Sequence, residues 1–243
     1  MKIQIGIAGV SGRIGQRLVN LIEKDKDCEV VCGLVSKTSS YQYDGIEIDS
    51  VCKKAGIWID FSTPQAFDKV LAHCLKSQTP LLTGTTGLSK EQFKAIEQSA
   101  HIIPILWASN FAISICLIQQ LLSKYTKLVE TSAEITETHH IHKIDKPSGT
   151  ALTLAKSIKP QAELVRIDKD NFKLDGISIQ SIREKEVPGI HQIELSNNSE
   201  SLTITHRAKT PEIFAQGAFN VAKWLIKQEK GLYTMNDFID CYL

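Results

Sequence analysis

The residues with the most chemistry per position lie in one run, Glu137-Thr138-His139-His140-Ile141-His142-Lys143-Ile144-Asp145-Lys146-Pro147-Ser148-Gly149-Thr150-Ala151. Three of the chain's seven histidines fall within four positions there, and Lys143 follows directly. Ser148-Gly149-Thr150 then opens an apolar helical pattern. The free amides of a helix N-terminus, with hydroxyls beside them, receive a carboxylate. His140, Lys143 and that N-terminus can together hold a small dianionic acid. Lysine and histidine can also deliver a proton, because burial and neighbouring charge tune both. His-His-x-His is rich in metal ligands, but no Cys or paired carboxylate in the local sequence completes a tetrahedral set, so no metal is expected.

A second chemical signal opens the chain. Gly9-Val10-Ser11-Gly12-Arg13-Ile14-Gly15 ends an apolar run and begins a helical one. The first glycine permits a tight turn, the second lets the backbone approach a pyrophosphate, and the third lets the helix pack on the strand. The anion then sits on helix amides at the positive end of the dipole. The spacing is G-x-x-G-x-x-G rather than G-x-G-x-x-G, and a glycine string alone is weak evidence. At the end of the second strand an NAD site usually carries an acid for the ribose hydroxyl. Here Ser36 and Lys37 stand there, which suits a 2′-phosphate, with Arg13 as a second cation. Two further loops, Gly84-Thr85-Thr86-Gly87 and Ala108-Ser109-Asn110-Phe111, follow strands and can line the same crevice.

These groups need a scaffold. Lys2 to Ala8 reads as a buried strand, Ile14, Leu18, Leu21 and Ile22 as a helix face, and 29–35 as a second strand. The alternation continues through strands at 57–61, 80–83 and 102–107 and helices between them, one opened by the capping box Ser89-x-x-Gln92. Such alternation gives a parallel sheet covered on both faces. After Asn110 the texture changes. A long helix, 111–128, precedes a strand at 133–138 and a short helix over 148–158 capped by Ser148. From 163 to 207 several β-rich runs follow without helices, with a hairpin connection at Asn197-Asn198-Ser199-Glu200. A helix over 211–228 closes the pattern. The expected fold is α/β: a Rossmann-like parallel sheet domain plus an α+β domain with an open mixed sheet.

Composition narrows the partners. The 243 residues carry 28 Lys and Arg against 27 Asp and Glu, a net charge of +1, with 42% hydrophobic residues. Disorder and coiled coil are excluded by such ordinary usage, and nothing points to nucleic acid or an acidic membrane surface. No apolar run approaches the roughly 20 residues of a membrane span, and the start does not resemble a signal peptide. The six cysteines show no C-x-x-C spacing and read as reduced residues of a cytoplasmic protein.

The chain resembles the dihydrodipicolinate reductase (4-hydroxy-tetrahydrodipicolinate reductase) family of bacterial lysine and diaminopimelate synthesis. The resemblance runs from Ile3 to the C-terminus. Its motifs are GVSGRIG, DFSTP at 60–64, GTTG at 84–87, ASNF at 108–111, ETHHIHKIDKPSGTA at 137–151 and THRAKTPEIFAQGA at 205–218. The E-x-H-H-x-x-K-x-D-x-P-S-G-T block is the most specific of them. The resemblance implies a dinucleotide-binding domain over 1–110, completed by about 219–243, and a substrate-binding and oligomerisation domain over 111–218. It implies cofactor contacts from Gly9, Val10, Ser11, Gly12, Arg13, Ile14, Lys37, Gly84, Thr85, Thr86, Ala108, Ser109, Asn110 and Phe111. His139 and Lys143 are the implied proton-transfer residues. His140, Ser148, Gly149 and Thr150 are the implied contacts of a small dicarboxylate substrate. A homotetramer built through the middle-domain sheets is implied too, with NADPH as the preferred cofactor and NADH left open.

Two departures stand out. Ser36 replaces an acid that some members carry, which counts against dual cofactor use, and Lys146 replaces a small residue, adding charge near the dianion site. Two other classes fit the residues less well. A short-chain dehydrogenase needs Tyr-x-x-x-Lys, and none of the five tyrosines has Lys four residues on. A non-catalytic NADP-binding module would not need the clustered His, Lys and Ser-Gly-Thr groups.

Overall fold

The computed structural model describes residues 2–35 and 55–243. Ser36, Lys37 and Cys52 lie outside the described residues. The chain forms two compact units, Met1–Ala112 together with Glu212–Leu243, and Ile113–Pro211.

In the first unit the strands are β1 (Ile3–Ala8), β2 (Cys28–Leu34), β3 (Ile57–Asp60), β4 (Leu81–Thr83), β5 (Pro104–Trp107) and, from the C-terminal segment, β12 (Gly231–Tyr233). They form one sheet in the order β12-β5-β4-β3-β1-β2, with every pairing parallel. The helices are α1 (Arg13–Ile22), α2 (Pro64–Ser77), α3 (Lys90–Ser99), α6 (Glu212–Leu225) and α7 (Met235–Asp240). Helix α1 buries Gly15, Leu18, Val19 and Ile22, a stripe at helical spacing. Helix α3 carries the capping box read from Ser89 and Gln92. β3 is buried along its whole length, as a strand covered on both faces must be. Gly6 of β1 is required by Trp58, because a Cβ there would lie 2.7 Å from the indole ring.

In the second unit α4 (Ile113–Leu128) precedes β6 (Ser132–His139), and α5 (Gly149–Ile158) precedes β7 (Leu164–Arg166), β8 (Asn171–Leu174), β9 (Ile177–Arg183), β10 (Ile190–Ser196) and β11 (Ser201–Arg207). The sheet order is β11-β10-β6-β9-β8-β7, and only the β6–β9 pairing is parallel, so the sheet is mixed. Burial alternates along β6, β9 and β10, as it does for strands with one covered face. β10 and β11 are joined through Asn197, whose side chain accepts from the amides of Ser199 and Glu200 at 2.8 and 3.0 Å.

One expectation is corrected. Cys32, buried on β2, is disulfide-bonded rather than reduced. Cys28, Cys74, Cys116 and Cys241 are free thiols. Burial pushes the Cys74 thiol up strongly, so it behaves as a small core hydrophobe.

Candidate active site

The turn after β1 has the form a phosphate needs. Gly9 has φ +78°, and a Cβ there would meet the Phe61 carbonyl oxygen at 2.4 Å. Gly15 is closed in by backbone, since its Cβ would lie 2.2 Å from the Gly9 oxygen. A Cβ at Gly12 would meet only the Gly9 oxygen, at 3.1 Å, so its outer side is open. Gly12 is also the N-cap of α1 and brings no side chain to cap the first-turn amides. Amides at the positive end of a helix beside a bare backbone fit a pyrophosphate. Val10 is buried, whereas Arg13 is exposed.

The other predicted cofactor loops lie at the carboxyl ends of the neighbouring strands. The order of β3, β1 and β2 makes the β1/β3 boundary the point where the chain reverses its direction across the sheet, where ligands of open α/β sheets bind. Asp60, fully buried at the end of β3, organises that edge. Its carboxylate accepts from the hydroxyls of Thr83 and Thr85, both at 2.8 Å, and from the Ser62 hydroxyl and amide at 2.5 and 3.0 Å. The Thr85 hydroxyl is thereby committed to the scaffold, and its carbonyl accepts from Trp107 Nε1 at 3.1 Å. Gly84 packs on Phe61, and Phe61 meets Phe111 edge-on at 5.5 Å. The Asn110 side chain accepts from the Ala112 amide at 2.8 Å. Ala108 and Phe111 are buried, whereas Thr86 and Ser109 are exposed. Sequence reasoning overlooked Asp60 as an organiser. A carboxylate at a buried strand end, followed by Ser and Thr, was the available signal.

In the second unit the residues of the histidine run separate into two groups. His139 ends β6 and is buried, whereas His140, Lys143 and Asp145 lie in the loop beyond it. Across the strands the register lines up His206, His191, Glu137 and Ser181 on β11, β10, β6 and β9, and it places His139 opposite Arg183. Directly opposed residues share a face, so the row makes a polar strip.

Glu137, fully buried, is its centre. Its Oε1 accepts from both terminal nitrogens of Arg183, each at 3.2 Å, and from the Ser148 amide at 3.1 Å. Its Oε2 lies 2.9 Å from His139 Nδ1, with the ring N–H not aligned on it, and neither atom has another hydrogen-bond partner. Burial alone would raise the Glu137 carboxyl. The polar groups of His139, Ser148 and Ser181 beside it, with the charge of His139, overcome this and hold it well below the usual carboxylate range. His191 Nε2 and Ser148 Oγ are 3.2 Å apart, and the two rings of His139 and His191 meet edge-on at 5.0 Å. Burial, then the neighbouring His139, lower His191 to about 4, so it is neutral at neutral pH. Glu137, His139 and His191 could also be taken for a metal site, their ligand atoms lying within 4.8 Å of one another. Arg183 already neutralises Glu137.

Arg183 uses all five of its donors. Besides Glu137 it donates to the carbonyls of Lys143 at 3.1 Å, Ile182 at 2.9 Å and Asp145 at 2.5 Å. One guanidinium thus ties the carboxylate to the backbone of the Lys143 loop. The Lys143 ammonium donates to both Asp145 oxygens, at 2.8 and 2.9 Å. Burial opposes ionisation of Asp145, but Lys143 and the Gly149 amide outweigh it and lower its carboxyl. Lys146 is turned to Asp170, which cancels the extra charge expected near the site. Ser148 is the N-cap of α5, its hydroxyl accepting from the Ala151 amide at 3.2 Å, and Gly149 has no atom within 4 Å of where a Cβ would be. Thr150 follows in the first turn. Arg183 and His191 were not singled out from the sequence, and Glu137 entered only as the first residue of the E-x-H-H block, without a role. The period of two from Glu137 to His139 was the one signal present.

The family described as "Dihydrodipicolinate reductase, N-terminus" matches residues 3–111, and "Dihydrodipicolinate reductase, C-terminus" matches residues 114–239. A 4-hydroxy-tetrahydrodipicolinate reductase of Rickettsia bellii is 35% identical over 98% of this chain and 95% of its own length. That of Rickettsia rickettsii is 35% identical over 97% of this chain and 98% of its own. In fold, the dipicolinate-bound dihydrodipicolinate reductase from Paenisporosarcina sp. TG-14 superposes with a TM-score of 0.84 at 24% identity, covering 97% of this chain and 99% of that one. With the glycine turn at one end of the match and the Glu137–Thr150 stretch inside the other, this chain belongs to the dihydrodipicolinate reductase family.

Proposed function

We propose that this chain reduces 4-hydroxy-tetrahydrodipicolinate to tetrahydrodipicolinate with NAD(P)H, the 4-hydroxyl leaving as water before or during the reduction, in diaminopimelate and lysine synthesis. Its relatives' names and both family matches support the reaction. One observation carries the substrate side: a carboxylate, that of Asp145, already rests on the Lys143 ammonium and draws on the Gly149 amide. That pair of groups takes a carboxylate, and a dicarboxylate substrate offers two.

The reduced nicotinamide supplies a hydride when bound. The chain's own residues do the rest. The α1 amides with Gly9 and Gly12 hold the pyrophosphate, and the loops at Gly84–Thr86 and Ala108–Phe111 shape the crevice beside it. Lys143, His140 and the α5 N-terminus, through Gly149 and Thr150, neutralise and orient the substrate carboxylates. Ser148 sets that terminus by capping it. His139 and Lys143 hold the proton that the reduced ring takes up at the carbon next to the hydride-accepting one.

NADPH is the preferred cofactor in this reading, because Ser36 and Lys37 follow β2 without an acid and Arg13 is exposed beside the turn. No helix among the described residues is long and apolar enough to cross a membrane, and a cytoplasmic location is part of this reading. Exposed apolar side chains on the second sheet, Leu164, Val165 and Ile182, with Ile167 just beyond β7, fit assembly through that sheet into a homotetramer. Oxidation of NADPH, followed by absorbance with freshly prepared 4-hydroxy-tetrahydrodipicolinate, tests the function. Cofactor binding without turnover would leave only a nucleotide-binding module.

A further inference from the structure

We infer that Glu137 is a positioning residue for the proton transfer: it fixes His139 with the proton on Nδ1, so that Nε2 is the atom that exchanges a proton with the reacting molecule. The inference rests on the reading of His139 above and adds to it a residue, an atom and a tautomer. Glu137 Oε2 and His139 Nδ1 lie 2.9 Å apart and neither has another hydrogen-bond partner, so a small turn of the ring places one shared proton between them. Glu137 does not hold it. Its other oxygen accepts three N–H groups, two from Arg183 and one from Ser148, which favours the carboxylate. The proton is therefore on Nδ1, and it stays there through the reaction cycle.

The surroundings leave Nε2 as the working atom. It borders Gly189, where a Cβ would approach to 3.0 Å, so the missing side chain keeps that flank of the ring clear. The groups facing the ring are Glu137 on its own strand, Arg183 on β9 and His191 on β10, with Lys143 in the loop beyond. His191 is neutral with its Nε2 engaged by Ser148, and Arg183 has no donor to spare for the ring. Glu137 also holds the Ser148 amide, so one carboxylate sets both the histidine and the start of the helix that receives the substrate.

The test is a double-substitution cycle on the full chain. In Glu137→Gln the amide oxygen still accepts from Arg183 and Ser148, while the amide NH2 faces Nδ1 and drives the proton to Nε2, the wrong tautomer. With NADPH and substrate, Glu137→Gln should lower kcat about a hundredfold, the scale of lost acid–base catalysis. Combined with His139→Gln, it should add less than about threefold to the loss from His139→Gln alone, since residues acting as a unit are not additive. Losses that multiply would show a structural role and overturn the inference, as would wild-type kcat in Glu137→Gln. A second measurement does not depend on turnover or on a stable variant. Nitrogen-15 NMR of the imidazoles in the wild-type chain should show neutral His139 protonated on Nδ1. An Nε2–H tautomer would overturn the inference even in an active enzyme. Absence of wild-type turnover alongside the Nδ1–H tautomer would instead count against the proposed reaction.

Discussion

Replacing His191 by Gln should flatten the acid side of the second unit's stability profile. His191 is 4% exposed and its folded pKa is lowered from 6.5 to about 4, with burial as the largest cause. A group that binds its proton more weakly when folded makes the unfolded chain the better proton acceptor, so stability falls as pH falls through that window. The loss begins near 6.5 and is complete near 4, and the gap corresponds to about 3 kcal/mol. Glu137 and His206, both lowered, destabilise in the same direction as pH falls, Glu137 mainly at the acid end. The difference between wild type and His191→Gln isolates the one histidine. Gln keeps a donor for the Ser148 hydroxyl, so the cap of α5 survives. Trp58, Trp107 and Trp224 all belong to the first unit, so indole fluorescence does not report on this sheet. Amide hydrogen exchange of peptides over β10 and β11, corrected for intrinsic rates, does. At pH 5 the wild type should have lost about 2 kcal/mol more, relative to pH 7.5, than the variant has. Parallel pH dependences in the two proteins would refute the claim that a buried neutral histidine sets the acid limit.

The two helix-turn glycines should fail differently. Gly12→Val should keep the fold and lose NADPH binding by calorimetry, whereas Gly15→Ala should destabilise the first unit by about 1–3 kcal/mol, since its Cβ meets backbone at 2.2 and 2.6 Å. Normal NADPH affinity in Gly12→Val would leave that glycine a packing role only. Lys143→Ala should cut kcat about a hundredfold with NADPH affinity unchanged, and His140→Ala should mainly raise KM. Wild-type kcat in Lys143→Ala would leave His139 as the proton donor. Lys37→Glu should lower the NADPH/NADH preference about tenfold to a hundredfold, the value of one charge-assisted contact, and an unchanged ratio would remove Lys37 from phosphate recognition.

The fold was legible where a local signal was strong. The capping box at Ser89, the Ser148 cap and the turn at Asn197 are contacts between residues two or three apart, and each appears with its hydrogen bonds. Short elements were not legible. β8, β12 and α7 span four, three and six residues, too few for periodicity to separate from loop, and they exist because larger elements offer them a partner. Cys32 was misread because its bond depends on what the fold brings near β2, which spacing does not encode.

The same division runs through the site. His139, His140 and Lys143 are close in sequence, and their types announce chemistry. What makes that chemistry specific comes from elsewhere: Arg183 from β9 and His191 from β10, strands at 177–183 and 190–196, reach Glu137 only through cross-strand register. A slip of one residue in either pairing would turn Arg183 or His191 to the other face. Glu137 would then be a buried carboxylate without its counter-charge, a costly state. The polar row therefore penalises wrong registers of the sheet that carries it. The register fixed in this way keeps the Lys143 loop tied to Arg183 and, under the inference above, the His139 proton in place. Fold specificity and the proposed proton handling thus depend on the same three side chains, Glu137, Arg183 and His191.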